Sequence, residues 1–504
     1  MRNSLSRLLY HGKDVKSTCP IVRWMHCFIC LLGYIINYME NNNVSKILSD
    51  WLDSYLNFER LPKKNIFWLD TIQFLCNRFN NPQDVYKSVH IAGSKGKGSV
   101  SAFVSSIIRE AGICCGLYTS PHIQYLIERI TEAGKFFPEN VYDAAFKEMV
   151  PRIESIIPEQ LPNEREITWF ELMTLYSFLC FKQAGCTWAV FETGLGGRLD
   201  ATNIIKPEVC IITPIELEHT EYLGNTIPLI AAEKAGIIKR GVPVFLSHQK
   251  DEALEVFKKK ANEQDTPLFY YDDFVRGVEY ELPSYKTTNY DTMKVRIDFG
   301  TLFSRPLETN LMLIGKVQAE NAALAAAAVK HIMPDISEEV IESGLSKAEL
   351  PGRFEIINNP YGSNKMVLDG AHTSNSLSGT IETFKKTFGN GNLLFACAED
   401  KDMNALVHVI LDADCPFHKV YLTRPGELKK SDLGRLSEYF FAYLSTRDDL
   451  KDRLCCITEA DYKKAIENAM REAGESGEPL LVTGSFYLVS EVKQTLSAFL
   501  SKSE

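Results

Sequence analysis

The chain has 504 residues, 45% of them apolar and 24% charged, with a formal net charge of −10 from 55 Lys+Arg and 65 Asp+Glu. That length and apolar share suit two or three domains with sizeable cores and exclude extended disorder or a fibrous repeat. The acidic balance argues against a nucleic-acid surface, which needs phosphate-neutralising cations, but leaves room for a local basic cleft that takes an anionic small molecule.

In chain order, the first unusual segment is 21–38, IVRWMHCFICLLGYIINY. Its apolar run is shorter than the roughly 20 residues that span a bilayer, Arg23 and His26 interrupt its start, and no small-residue cleavage pattern follows. Three readings stay open: an added packed helix, which is preferred; an upstream start preceding Met39; and a membrane or export segment. No stable membrane association is expected. Cys27 and Cys30, with Cys19 and His26, lack a second pair at zinc-site spacing and read as incidental thiols. The 13 cysteines include the adjacent pairs Cys114–Cys115 and Cys455–Cys456, which suits a reducing, cytoplasmic setting better than a disulfide framework. Residues 1–45 are set apart as an N-terminal extension.

Helical spacing of apolar residues predicts helices over Asp50–Asn57 and Trp68–Phe79, broken by Asn80-Asn81-Pro82. Ser88–Ala92 reads as a strand running into glycines, Val100–Arg109 as a helix closed by Ala111-Gly112, and Cys114–Tyr118 as the next strand. This order opens a βαβ unit. A helix over Phe170–Phe181, a buried strand over Trp188–Glu192 and a strand over Val209–Thr213 continue the alternation. Residues 283–309 read as paired short strands, and Ala319–Lys330, with seven alanines, as a tightly packed helix. Beyond Pro351-Gly352, strands are predicted at Lys365–Leu368, Leu393–Ala398, Lys419–Tyr421 and Pro479–Val482. The expected fold is α/β: a phosphate-loop domain over 46–350 with a mainly parallel sheet, then a smaller Rossmann-like α/β domain over 351–504.

The chemistry concentrates at Gly93-Ser94-Lys95-Gly96-Lys97-Gly98-Ser99. Glycines let the main chain curl around a polyphosphate, and the loop N–H groups and helix N-terminus aim partial positive charge at it. Lys97 supplies a cation for the outer phosphates and Ser99 a hydroxyl for phosphate or Mg²⁺. Gly98 separates Lys97 from Ser99, so the loop departs from the strict G-x-x-x-x-G-K-[ST] pattern. A plain glycine turn is the bland reading. The strand-to-helix context favours a nucleotide, and a dinucleotide-type loop would not require Lys97.

Five blocks in order, HIAGSKGKGSV, LYTSPHI (117–123), ETGLGGRLDATN (192–203), AEKAGIIK (232–239) and LDGAH (368–372), resemble folylpolyglutamate synthase/dihydrofolate synthase of the Mur ligase superfamily. The resemblance runs from about Trp51 to near Leu500. It implies an ATP-dependent carbon–nitrogen ligase of folate metabolism that joins L-glutamate to a folate or dihydropteroate carboxylate through an acyl phosphate. It also implies a cleft between two domains and a monomer.

Residue by residue, the resemblance makes Ser120, Glu192 and His219 Mg²⁺-binding positions and Lys234 a lysine that the family carbamylates. It assigns Asn321 to the base side of ATP, Arg353 to its phosphates, and Asp369 and His372 to the ribose or cleft. Taken singly, Glu192 reads as a solvated loop acid, His219 as a structural or surface histidine, Lys234 as a salt-bridged helix lysine and Arg353 as a solvated arginine. Their joint pattern carries the functional reading. The chain departs from the family at Ser94-Lys95 (usually Thr-Asn), Glu218 (usually Asp), Thr373 (usually Asn) and Val317 (often His). A peptidoglycan-precursor ligase and a catalytically inactive nucleotide-binding regulator are the alternatives. Nothing in these motifs chooses between dihydropteroate and folate.

Overall fold

The computed structural model describes residues 45–57, 68–285, 291–412 and 414–501. The readings of 21–38 and of the Cys19–Cys30 group lie outside these residues. The first described helix spans 45–52, earlier than the sequence pattern predicts; the second, Asp70–Arg78, ends where Asn80 and Asn81 take positive φ.

A seven-stranded sheet follows: β1 (Lys87–Ala92), β2 (Cys115–Tyr118), β3 (Ile130–Glu132), β4 (Trp188–Glu192), β5 (Val209–Ile212), β6 (Val244–Leu246) and β7 (Leu268–Tyr270), in the order β3-β2-β4-β1-β5-β6-β7. All neighbours are parallel except the edge pair β2–β3. β2, β4, β5 and β6 are buried at every position, the unbroken apolar signature of strands covered on both faces. β1 lies at the centre, with Ile91 beside Glu192 and Ala92 beside Ile212. The chain leaving β1, β4 and β5 therefore emerges side by side at the carboxyl edge, where open α/β sheets bind ligands.

Helix α1 (Lys97–Glu110) continues from the glycine loop. α2 (Trp169–Gln183) is buried along almost its whole length and begins with a capping box between Thr168 and Glu171. α3 (Ile227–Lys234) follows β5. The alanine-rich helix, α4 (Lys316–Ile332), buries Ala322 to Ala328 without interruption, and α5 (Glu338–Lys347) crosses α1 so closely that a Cβ on Gly344 would lie 2.5 Å from Ile107 Cα. Ahead of α4 in the chain, the expected strand pair is a three-stranded antiparallel sheet: β8 (Gly277–Glu281), β9 (Met293–Asp298) and β10 (Leu307–Leu311).

The C-terminal sheet comprises β11 (Glu355–Asn358), β12 (Lys365–Leu368), β13 (Gly391–Phe395), β14 (Phe417–Leu422), β15 (Cys455–Thr458) and β16 (Leu480–Thr483), in the order β11-β12-β16-β13-β14-β15. It is parallel apart from β11. The two edge strands are the ones the sequence pattern misses; both are short and no position in them is fully buried. The two sheets share apolar packing: one cluster runs from Phe103 and Ala322 to Phe384 and Leu393, the last two in and beside α6 (Ser374–Phe388).

Candidate active site

Each turn of the loop after β1 has a physical cause. Gly93 takes φ +146°, and a Cβ there would fall 1.9 Å from Thr213 Oγ1 at the end of β5. Gly96 caps α1 at φ +88°, where a Cβ would meet Asn321 Oδ1 at 2.8 Å. Only glycine permits both the backbone conformation and these approaches. Ser94 and Lys95 donate their N–H groups to the Pro214 carbonyl at 2.9 and 3.3 Å, and the Ser94 hydroxyl donates to Glu216 O at 3.1 Å. The loop is thus pinned to the chain leaving β5. Ser99 is buried in the first turn of α1.

Lys97 folds back to donate to Gly93 O at 3.0 Å. Lys234, buried at the end of α3, donates to the same carbonyl at 2.7 Å and lies 3.2 Å from Glu218 Oε1. The other oxygen of Glu218 is 3.7 Å from Lys95 Nζ. Burial pushes the Lys234 amine down to about 8, helped by the charge of Lys97 and opposed by Glu218. Burial also resists the charge on Glu218, but Lys97, Lys234 and Lys95 together outweigh it and hold that carboxyl at about 2.

Glu192, at the end of β4, is 4% exposed and accepts the Ser120 N–H at 3.1 Å. Burial raises its pKa, and Lys97, the Ser120 N–H and Arg353 only partly offset this. It forms no ion pair among the described residues, so its oxygens suit a hard cation. Among the described residues no group of three or more His, Cys, Asp and Glu comes together. His219 takes φ +47° on the exposed rim; partial enclosure lowers its pKa, with Glu218 opposing.

The C-terminal half faces this group. A small crevice is lined by Gly98, Ser120, Glu192, Leu350, Arg353 and Phe486. The Arg353 guanidinium lies 4.2 Å from the Phe486 ring centroid, and burial lowers its pKa against the pull of Asp369 and Glu192. Asp369 accepts from Phe354 N (2.8 Å), Ala371 N (2.9 Å) and Thr380 Oγ1 (3.0 Å), bonds that shape the chain around Arg353. The His372 ring bonds Gly370 O at 2.8 Å; burial first, then Lys95, lowers its pKa to about 4. Asn321 is buried beside Gly96 and donates to Gln318 at 3.1 Å.

The tertiary structure therefore gathers the loop, Lys97, Glu192, Lys234, Ser120, Asn321 and Arg353, leaves His219 on the rim, and commits Asp369 to internal bonds. A larger cavity of about 520 Å³, between Leu254, Lys258, Asn262 and Tyr270, is lined by none of these residues.

Residues 91–329 match the Mur ligase middle domain and 352–486 the Mur ligase glutamate ligase domain. The dihydrofolate synthase/folylpolyglutamate synthase of Bacillus subtilis (strain 168) is 31% identical over 454 residues, covering 88% of this chain and 97% of that protein. The chain belongs to the folylpolyglutamate synthase/dihydrofolate synthase family. Its Escherichia coli (strain K12) relative is 30% identical, covering 90% of this chain and 96% of that protein. The solved Mycobacterium tuberculosis folylpolyglutamate synthase complexed with ADP superposes with a TM-score of 0.76 at 26% identity, covering 90% and 98% of the two chains.

Within this synthase family two residues stand out that motif reasoning left without a role. Glu218 bridges Lys95 and Lys234; its signal was its place before His219. Asp200, buried in the GLGGRLDATN block, accepts Leu195 N at 2.8 Å and Thr202 N at 3.0 Å, holding the turn that follows Glu192. Thr373 caps α6 by accepting Ser376 N at 3.4 Å. Val317 is exposed and adds no polar group.

Proposed function

We propose that the chain joins L-glutamate to the carboxylate of a folate or dihydropteroate, using ATP and passing through an acyl phosphate. The observation that carries this reading is the convergence of Lys97, Glu192 and Arg353 on the carboxyl edge of the sheet, where the glycine loop enters α1. A carboxylate does not condense with an amine in water; transferring the terminal phosphoryl group of ATP to it creates a leaving group. Negative charge then builds on phosphoryl and acyl oxygens, and fixed donors and cations stabilise it. The loop N–H groups and Lys97 hold the outer phosphates, Ser94, Lys95, Gly96 and Gly98 shape their cradle, and Asn321 meets the nucleotide beside Gly96. Arg353 brings a cation from the opposite half.

Glu192 would be the principal Mg²⁺ position, with Ser99, Ser120 and His219 as further donors; the ion would neutralise polyphosphate charge. Lys234 is the position that the resemblance marks for carbamylation; as a free amine it pairs with Glu218 and donates to the Gly93 carbonyl. Asp369 and His372 support the nucleotide side chiefly by shaping the chain around Arg353. The crevice between the halves, about 20 Å³, admits about one water. Substrate entry thus requires the halves to part, and closure excludes water from the acyl phosphate before the glutamate amine attacks. The units are 46–350, with the seven-stranded and three-stranded sheets, and 351–504, with the six-stranded sheet, and the enzyme acts as a cytoplasmic monomer. Among the described residues no helix is long and apolar enough to cross a membrane.

Phosphate release should need ATP, Mg²⁺, glutamate and a pteroate or folate acceptor together. Mass-resolved assays with dihydropteroate and with tetrahydrofolate monoglutamate test this. A one-glutamate gain with either acceptor is the expected result; no product from folded, ATP-binding protein refutes the ligase reading in favour of a nucleotide-binding regulator.

A further inference from the structure

The loop cation Lys95 and the carboxylate of Glu218, far apart in the chain, are brought together by the fold. Lys95 Nζ and Glu218 Oε2 are 3.7 Å apart, with side chains 25% and 14% exposed. Glu218 Oε1 is at the same time 3.2 Å from the buried Lys234 Nζ, which also donates to Gly93 O. One carboxylate therefore ties the glycine loop to the end of α3 and occupies the one loop lysine that does not fold back on the loop's own backbone.

Lys95 and Lys97 differ in this respect. Lys97 already donates to Gly93 O inside the loop. Lys95 leans away, toward the chain after β5, and its own N–H is held there by Pro214 O. A polyphosphate in the loop competes with Glu218 for the Lys95 ammonium. It brings several charges against one, in a partly buried setting where Coulomb terms are stronger than at an open surface.

We propose that Lys95 and Glu218 form an exchangeable ion pair, in which the nucleotide phosphates displace Glu218 from Lys95 and gain a second loop cation. This rests on the reading of residues 93–99 as the nucleotide site. In the free protein Glu218 keeps Lys95 from repelling Lys97 and Lys234. In the nucleotide complex Glu218 is left to Lys234 alone, so filling the loop alters the electrostatic setting of the amine at the end of α3. The pair thus sets nucleotide affinity and couples the loop to Lys234.

A charge-neutralising cycle tests the pair: Lys95→Met, Glu218→Gln and the double variant, each titrated with a non-hydrolysable ATP analogue at fixed Mg²⁺, with Lys95→Arg as the conservative control. Lys95→Met should weaken binding roughly tenfold, the scale of one charge-assisted contact, while Lys95→Arg keeps affinity within about threefold. Glu218→Gln should tighten binding roughly threefold when Lys95 is present and have clearly less effect in the K95M background, because nothing is left to be released. The same Glu218→Gln change in both backgrounds, or unaltered affinity in Lys95→Met, overturns the exchange. Thermal unfolding of each variant separates these results from misfolding. If wild type binds no analogue, the nucleotide reading fails and the pair with it; if wild type binds and the two changes are additive, only the pair fails.

Discussion

The two halves of the molecule bring charged groups to the cleft in opposite ways. On the N-terminal side, Lys95, Lys97 and Lys234 crowd around Gly93 and Glu218, and Glu192 is buried without an ion-pair partner among the described residues. On the C-terminal side, Asp369 is spent on three internal donors and His372 on Gly370, leaving Arg353 as the group that faces across. Buried charges not neutralised within the fold mark where a ligand completes the electrostatics. On the proposed reading the chemistry belongs to the N-terminal half, and the C-terminal half contributes one cation and the scaffold that aims it.

Lys97→Ala offers the hardest test of that division. It removes a fixed cation from the phosphoryl site, so ATP-dependent product formation should fall by about 100-fold or more, the scale of losing one electrostatic donor in a water-poor site. The melting temperature should move by only a few degrees, since the lost bond is one lysine–carbonyl contact. Equal losses of turnover and stability would erase the distinction between the halves.

Asp369→Ala should behave the other way. It strips acceptors from Phe354 N, Ala371 N and Thr380 Oγ1, and unsatisfied buried donors cost about 1–3 kcal/mol each, moderated by relaxation. An unfolding free energy lower by about 2–4 kcal/mol is expected, with a smaller proportional change in the KM for ATP than Lys97→Ala produces. A variant of normal stability with a greatly raised KM for ATP would return Asp369 to a direct ribose role.

The smallest effect concerns acid. The Glu218 carboxyl is held at about 2, below its ordinary 4.5, because Lys97, Lys234 and Lys95 outweigh the burial that opposes its charge. A carboxyl whose folded pKa is depressed stabilises the fold above its unfolded pKa and loses that contribution as pH falls through the folded one. Chemical denaturation at steps between pH 5 and pH 2 should show wild type losing stability more steeply than Glu218→Gln. Parallel curves would mean that the carboxylate is not coupled to the lysines in solution.

Much of the site was legible in the chain because its signals are local. β1, the glycine loop and α1 are contiguous, so Gly93, Gly96 and Lys97 declare themselves within a dozen residues. Edge strands β3, β7, β11 and β15 and the interior strand β6 were not legible: β3, β6 and β7 have three residues each, too few to show a period, and β11 and β15 pair on one side only and are covered unevenly. The three-stranded β8–β10 sheet read as a pair because β8 begins before the segment that looked strand-like.

The sequence by itself determined the parallel α/β character, the glycine loop between β1 and α1, and the placing of Lys97 at that helix start and Glu192 at a strand end, because backbone freedom, hydrophobic period and short motifs act over neighbouring residues. Only the tertiary structure decided that Glu218 joins Lys95 to Lys234, that Asp369 is consumed in shaping the turn around Arg353, and that His219 stays at the rim. Those outcomes depend on distances between residues far apart in the chain and on how burial is divided among competing charges.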